Sequence, residues 1–322
     1  MNAPDKQLVT MIGGSGFVGT QLVQQLARQG FRIRVGVRRP DLAGHVRPLG
    51  AVGQIQPVQV NVRNFDSVAR SVEGADIVVN LAGIAHESGR QRFEAVHTAG
   101  AANVARAAAE AGAARLIHLS ALGADANSKS GFYVSKAQGD EQVLNIFPKA
   151  IIMRPSIVFG SDDRFFNLFG TLARLFPFLP VISAESRFQP VFVGDVAAAL
   201  AKAAQGEVRS GKIYEIGGPD VETMHELMER VLRVSNRNNI LVNVPTRLAK
   251  FKAWFMQILP NPWFTVDRIE QYGQDSVVSE AAKSEKRTLE GIGVSPQSMD
   301  AILPTYMWRF RKSGQFEQVQ SH

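Results

Sequence analysis

The first half of the chain alternates short β-branched apolar runs with longer stretches whose apolar residues recur at helical spacing. The runs predict strands at Leu8–Ile12, Arg32–Val37, Ile55–Val60, Asp76–Asn80, Arg115–Leu119 and Ala150–Arg154. Helical patterns fall between them at Phe17–Gln29, across an alanine-rich stretch from about Gln91 to Ala111, and at Phe132–Phe147. Strands that are apolar along their whole length and alternate with helices imply a parallel sheet covered on both faces. The pattern therefore predicts a doubly wound α/β fold. Ligands of such sheets sit at the carboxyl ends of the strands, near the switch point.

After Pro155 the periodicity loosens. Pro177, Pro180 and Pro190 interrupt an aromatic-rich segment holding Phe165, Phe166, Phe169, Phe176 and Phe178. Ile213–Ile216 reads as one more core strand, closed by Gly217-Gly218-Pro219. Thr223–Val234 and Arg247–Leu259 read as helices, and Ser295-Pro296 is placed to cap a last one. No repeat or low-complexity tract is present.

Composition removes several chemistries. The 322 residues contain no cysteine, which excludes disulfides, thiolate metal sites and cysteine nucleophiles. The histidines are scattered (His45, His86, His97, His118, His225 and His322), and His225-Glu226 has no second histidine four residues on. No metal site is predicted. The formal charge of +7 comes without a nucleic-acid motif, so no nucleic-acid partner is predicted. Its tightest knot is Arg28, Arg32, Arg34, Arg38 and Arg39. No stretch reaches the roughly 18 uninterrupted apolar residues of a membrane span. Met1–Gln7 is short and polar before the first strand, which leads us to expect no signal or transit peptide.

The strongest motif is Gly13-Gly14-Ser15-Gly16-Phe17-Val18-Gly19, which follows a strand and opens a helix. That context is the one a dinucleotide fingerprint requires. Gly13 permits a tight turn, Gly16 lets the backbone approach a pyrophosphate, and Gly19 lets helix and strand pack closely. The helix N-terminus favours the phosphate charge. The end of the second strand selects the nicotinamide. An NAD site places Asp or Glu there, whereas this chain has Val37-Arg38-Arg39-Pro40, with Asp41 only beyond the proline. A guanidinium holds a 2′-phosphate by charge-assisted bonds, so Arg38 and Arg39 point to NADPH. The expected organisation is a Rossmann-type domain over 1–155, with 190–218 returning to it. Residues 156–189 and 219–322 form a smaller C-terminal lobe and docking tail.

These motifs resemble the extended short-chain dehydrogenases/reductases. The resemblance rests on the glycine spacing, Asn80-Leu81-Ala82-Gly83, Arg154-Pro155 and Pro190-Val191-Phe192-Val193-Gly194-Asp195-Val196-Ala197. It implies that Asn61 and Val62 lie by the adenine, and that Leu81, Ala82 and Gly83 line the cofactor's length. The family often has Asp where Asn61 stands. It also implies a Tyr–Lys pair four residues apart on one helix face, helped by a serine. The lysine lowers the phenol's pKa from about 10 and holds the nicotinamide ribose. Here the helix reads Gly131-Phe132-Tyr133-Val134-Ser135-Lys136. Phe132 stands four before Lys136, and Tyr133 only three, roughly 100° further round. Likewise Ala121 matches the catalytic serine, with Ser120 one place early. If the site is active, Tyr133, Lys136 and Ser120 are its catalytic residues, which requires an irregular helix start. The favoured expectation is a site that keeps Lys136 for binding and has lost its proton donor.

The stretch His118–Ser128 and the tail pieces Asn261–Asp267 and Ser276–Ser279 narrow the likeness. They resemble the atypical branch that contains the nucleotide-binding accessory subunit of respiratory complex I. That resemblance implies a structural NADPH without hydride transfer, complex I subunits as partners, and a bacterial protein peripheral on the cytoplasmic face of the inner membrane. An apolar stripe of Leu248, Phe251, Phe255, Ile258 and Leu259, with Lys250 and Lys252 on other faces, suits docking on a partner or a lipid surface, or closure of the chain's own lobe. The run Tyr306-Met307-Trp308-Arg309-Phe310-Arg311-Lys312 carries the same two readings. The alternatives to an accessory subunit are an active NADPH-dependent reductase or sugar-nucleotide epimerase/dehydratase, and a regulator that reads the NADP⁺/NADPH ratio.

Overall fold

A computed structural model describes residues 7–256, 265–312 and 314. The described residues within 1–155, 193–216 and 279–295 form one compact unit, and those within 156–192, 217–278 and 296–322 a second.

The first unit is built on β1 (Leu8–Ile12), β2 (Arg32–Val37), β3 (Ile55–Gln59), β4 (Ile77–Asn80), β5 (Arg115–Leu119) and β6 (Ile151–Pro155). With Lys212–Ile216 they form one seven-stranded sheet, ordered Lys212–Ile216, β6, β5, β4, β1, β2, β3. Every described pairing in it is parallel. The order reverses between β1 and β4, which puts the switch point beside the glycine turn. All four residues of β4 are buried, as a central strand covered on both faces demands. The helices are α1 (Phe17–Arg28), α2 (Phe65–Val72), α3 (Ala99–Glu110) and α4 (Gly131–Ile146). α1 turns Leu22, Val23 and Leu26 inward, and α3 presents Ala101, Ala105 and Ala108 to a core with Ile12, Val78 and Leu116.

The predicted helix from Gln91 is interrupted. Residues Glu94–Thr98 form a π turn before α3 begins at Ala99. α4 packs against that turn so closely that a Cβ on Gly139 would lie 2.2 Å from the His97 carbonyl oxygen. Two further elements lack a clear periodicity: a 3₁₀ stretch over Pro40–Leu49, kinked at Ala43 and containing Pro48, and the buried alanine helix Val193–Gln205.

Residues 219–322 do not all stay in the smaller unit. Ser279–Ser295 packs in the first, along the sheet edge. There the Glu215 amide donates to the Arg287 carbonyl, the Ser279 amide donates to the Glu215 carboxylate, and the Arg287 guanidinium donates to the Ile213 carbonyl.

The second unit has an aromatic core of Phe159, Phe165, Phe166, Phe169, Phe188 and Phe310. The Tyr306 hydroxyl donates to buried Asp163 at 2.6 Å, and Met307 and Phe310 are also buried. Three of the seven residues of the terminal aromatic–basic run are therefore core; Trp308 and Arg309 remain at the surface. Ser298 caps the last helix (Met299–Met307) by accepting from the Ala301 amide, so the cap expected at Ser295-Pro296 falls three residues early. Thr223 and Glu226 form a reciprocal capping box for Met224–Val234.

Thr246–Met256 is a helix that turns Ala249 and Ala253 inward onto Ile182 and Ile269, leaving Leu248 and Phe251 exposed. Lys250 pairs with Glu270. The side chains of Lys252 and Phe255, together with Ile258, Leu259 and residues 261–264, lie outside the described residues.

Candidate cofactor-binding site

The glycine turn has the geometry its spacing predicts. Gly13 has φ +84°, a left-handed conformation that L side chains rarely adopt, and its amide donates to the Gly36 carbonyl at 2.8 Å. A Cβ there would press on the Leu81 backbone at 3.0 Å, and one on Gly19 would lie 2.6 Å from Gly14. At Gly16 a Cβ would meet only the Gly13 carbonyl, at 3.3 Å, so the side facing a ligand is open. Gly16 begins α1 without a side-chain cap, and no acidic residue stands in the first turn. The leading amides at Phe17 and Val18 therefore face outward with the helix's positive end behind them. Ser15 is half-buried, and its carbonyl meets His45 Nε2 at 3.3 Å, a brace from the 3₁₀ stretch that the sequence pattern did not reveal.

The arginines after β2 differ from one another. Arg39 holds Asp41 at 2.9 Å on the surface. Arg38 is exposed and makes no ion pair among the described residues. Asn61 turns its carbonyl oxygen back to accept from the Arg63 amide at 3.2 Å, and the Arg63 guanidinium reaches on to the Arg90 carbonyl. Val62 is fixed by Asn103, whose amide donates to the Val62 carbonyl at 2.9 Å.

At the far end, Leu81 and Ala82 are half-buried and Gly83 exposed. Asn80 sets their path, accepting from the Ala82 amide at 3.1 Å and donating from Nδ2 to His118 Nδ1 at 3.0 Å. That assigns the His118 proton to Nε2, which points at Asp140 Oδ1 3.5 Å away. The other oxygen of Asp140 accepts from Ser120 at 2.9 Å and from Arg154 Nε at 2.8 Å. Lys136 is buried, with Nζ donating to the Leu119 carbonyl at 3.1 Å. Burial pushes its pKa down to about 8, while Asp140 raises it. Burial chiefly, with Lys136 second, lowers His118 to about 3. Burial, then Lys136 and His118, lowers His97 to about 2.

A Cβ on Gly83 would lie 3.6 Å from His97 Nε2 and 3.7 Å from Lys136 Nζ, so these two groups border the same place. His97 Nε2 accepts from the Ile84 amide at 3.0 Å, and its Nδ1–H faces the Ser135 hydroxyl at 3.0 Å. It is neutral and presents no proton. α4 is an unbroken α-helix from Gly131, with no irregularity at its start. Phe132 accordingly lies one turn before Lys136 and packs edge-on to Phe93 and His97. Tyr133 is buried on another face, against Phe132. Ser120 is buried and its hydroxyl committed to Asp140. The structure thus gathers Lys136 with Gly83, and leaves Tyr133 and Ser120 engaged in packing and in the buried network.

The residues fit a dinucleotide. The turn leaves backbone space for phosphates, Arg38 is an exposed cation just past β2, and Lys136 has ammonium protons beyond the one given to Leu119. Among the described residues no cluster suits a metal ion.

An NAD(P)H-binding family matches residues 13–146. The NADPH-dependent quinone oxidoreductase QOR2 of Escherichia coli, solved with NADPH, superposes with a TM-score of 0.72 at 18% identity, covering 93% of this chain and 98% of its own. Sheet order and turn define a Rossmann-type fold like that of QOR2, carrying an NAD(P)H-binding region over residues 13–146. The mitochondrial NADH dehydrogenase (ubiquinone) 1 alpha subcomplex subunit 9 of Arabidopsis thaliana is 35% identical over 320 residues, 95% of this chain and 79% of that relative. The chain belongs to that subunit 9 family. A ceramide reductase of Caulobacter vibrioides is 35% identical over 194 residues, 60% of this chain and 59% of the reductase.

Proposed function

We propose that this chain is an NADPH-binding accessory subunit of respiratory complex I that holds the dinucleotide as a structural group and transfers no hydride. The observation that carries the non-catalytic reading is Phe132 standing one turn before Lys136 on an unbroken helix. A bound nicotinamide supplies a hydride carrier, but reduction of a carbonyl also needs a positioned acid, a contribution of about 10²–10⁴-fold. Neither Phe132 nor the neutral His97 offers one. The preference for NADPH rests on Arg38, and kinship with subunit 9 supports the partner. Exposed Leu248 and Phe251 on Thr246–Met256 support a peripheral seat, against a partner or the cytoplasmic face of a bacterial inner membrane. No described helix is long and apolar enough to cross a membrane.

Gentle purification from the host, followed by mass spectrometry, tests the assignment. NADPH and complex I polypeptides should travel with the chain. Recovery without either contradicts it. The likeness to ceramide reductase favours a second reading, an active reductase. That reading requires Tyr133 to reach a substrate oxygen, and Tyr133→Phe should then abolish turnover.

A further inference from the structure

We propose that Asp140 is a positioning residue for the cofactor: its buried carboxylate keeps Lys136 cationic and ties that charge to the backbone that lines the nicotinamide end. This rests on the NADPH-binding reading and deepens it. Asp140 lies one helical turn after Lys136, on the same face of α4. One continuous chain of contacts reaches it from the cofactor wall. The Ala82 amide donates to Asn80, Asn80 donates to His118, and His118 Nε2 faces Asp140 Oδ1. Ser120 and Arg154 hold the other oxygen. Among the described residues neither His118 Nε2 nor Asp140 Oδ1 has a hydrogen-bond partner, and the two atoms face each other across 3.5 Å.

Charge selects the role. The ionisable groups around Lys136 are Asp140 on its own helix, His97 on the π turn, His118 on β5, Arg154 on β6 and Tyr133 one turn earlier. Among the described residues Asp140 is the acid of this set. Burial holds both histidines neutral; it also raises the Asp140 carboxyl, which the Arg154 guanidinium at 2.8 Å and the Ser120 hydroxyl pull back toward the charged form. Burial already brings Lys136 down to about 8, and Asp140 is what opposes a further fall. Without that carboxylate, Lys136 loses its proton nearer neutrality and no longer serves as a cation for ribose oxygens and the dinucleotide's negative charge.

The test is calorimetric binding of NADPH to the full chain from pH 6.5 to 9. Wild type, Asp140→Asn and Asp140→Glu are compared. Wild-type affinity should hold to about pH 7.5 and decline above 8 as Lys136 deprotonates, by at most about tenfold per pH unit. In Asp140→Asn the decline should begin at least about one unit lower, giving about tenfold weaker binding at pH 8 and little difference at pH 6.5. Asp140→Glu should restore the wild-type profile. The ratio between variants at each pH cancels the ligand's own titration. An Asp140→Asn protein that binds more weakly by one constant factor at every pH has lost structure only, and overturns the inference. So does one that matches wild type. If Asp140→Asn does not fold, Ser120→Ala serves in its place. It removes a bond that favours the carboxylate, and should shift the decline the same way by less; an unshifted profile overturns the proposal. Wild type that binds NADPH at no pH defeats the functional reading itself, a separate outcome.

Discussion

The two ends of the nucleotide site are built in opposite ways. At the phosphate and adenosine end the working groups are backbone amides of a glycine turn and an arginine on the surface. At the other end they are buried side chains: Lys136 on the Leu119 carbonyl, His97 between the Ile84 amide and Ser135, and His118 and Asp140 in a chain that reaches Ala82 through Asn80. The first end needs only short-range geometry and positive charge to hold phosphates. The second would need a proton donor to do chemistry, and Phe132 occupies the donor's place on the helix. In the proposed reading the binding groups are in place and Phe132 stands where the acid would be. That contrast is the physical basis for proposing a cofactor that is held and not used.

The largest expected effect lies at the turn. Gly13→Val forces a β-branched residue to φ +84° against the Leu81 backbone, and NADPH affinity should fall by more than about a hundredfold in calorimetry. Retained affinity would remove the phosphate end from the comparison. Arg38→Ala should come next, weakening NADPH by roughly 10- to 100-fold for one charge-assisted bond while leaving NADH within about threefold. Arg39→Ala should do less, because that guanidinium already holds Asp41. Equal loss for both dinucleotides would mean that Arg38 does not read the 2′-phosphate.

The buried end makes a pH prediction. The unfolded chain protonates His97 and His118 near 6.5, whereas the folded chain resists until about 2 and 3. The unfolded state therefore binds more protons in that window. Stability present above pH 6.5 is lost as pH falls toward 3, each site withdrawing up to about 1.4 kcal/mol per unit. Denaturant unfolding across pH 4–7 measures this, and His118→Asn should flatten the slope. The smallest effect belongs to Tyr133→Phe, which should change NADPH affinity less than about twofold, since the ring is buried against Phe132 and the substitution keeps it.

The two ends also differ in how far they can be read from sequence. The turn, the strand before it and the helix after it are contiguous, so spacing alone conveys their roles. Phe132 and Lys136 are legible for the same reason, being four apart on one helix. The network is not, because Asn80, His118, Asp140 and Arg154 come from four elements that meet only in the folded sheet. His97 is hidden by its π turn, which breaks the 3.6-residue period that would place it. In the second unit the prolines mask the strands, yet Tyr306 and Phe310 prove to be core through Asp163 and the surrounding phenylalanines. An amphipathic-looking run does not by itself distinguish a docking face from a closing one.

The most direct test of a held but unused nicotinamide is to follow the near-ultraviolet absorbance of the reduced ring in the chain's own complex while that complex oxidises NADH. The bound NADPH should remain reduced through many turnovers, with stoichiometric recovery afterwards. Oxidation of the bound ring in step with turnover would contradict the account.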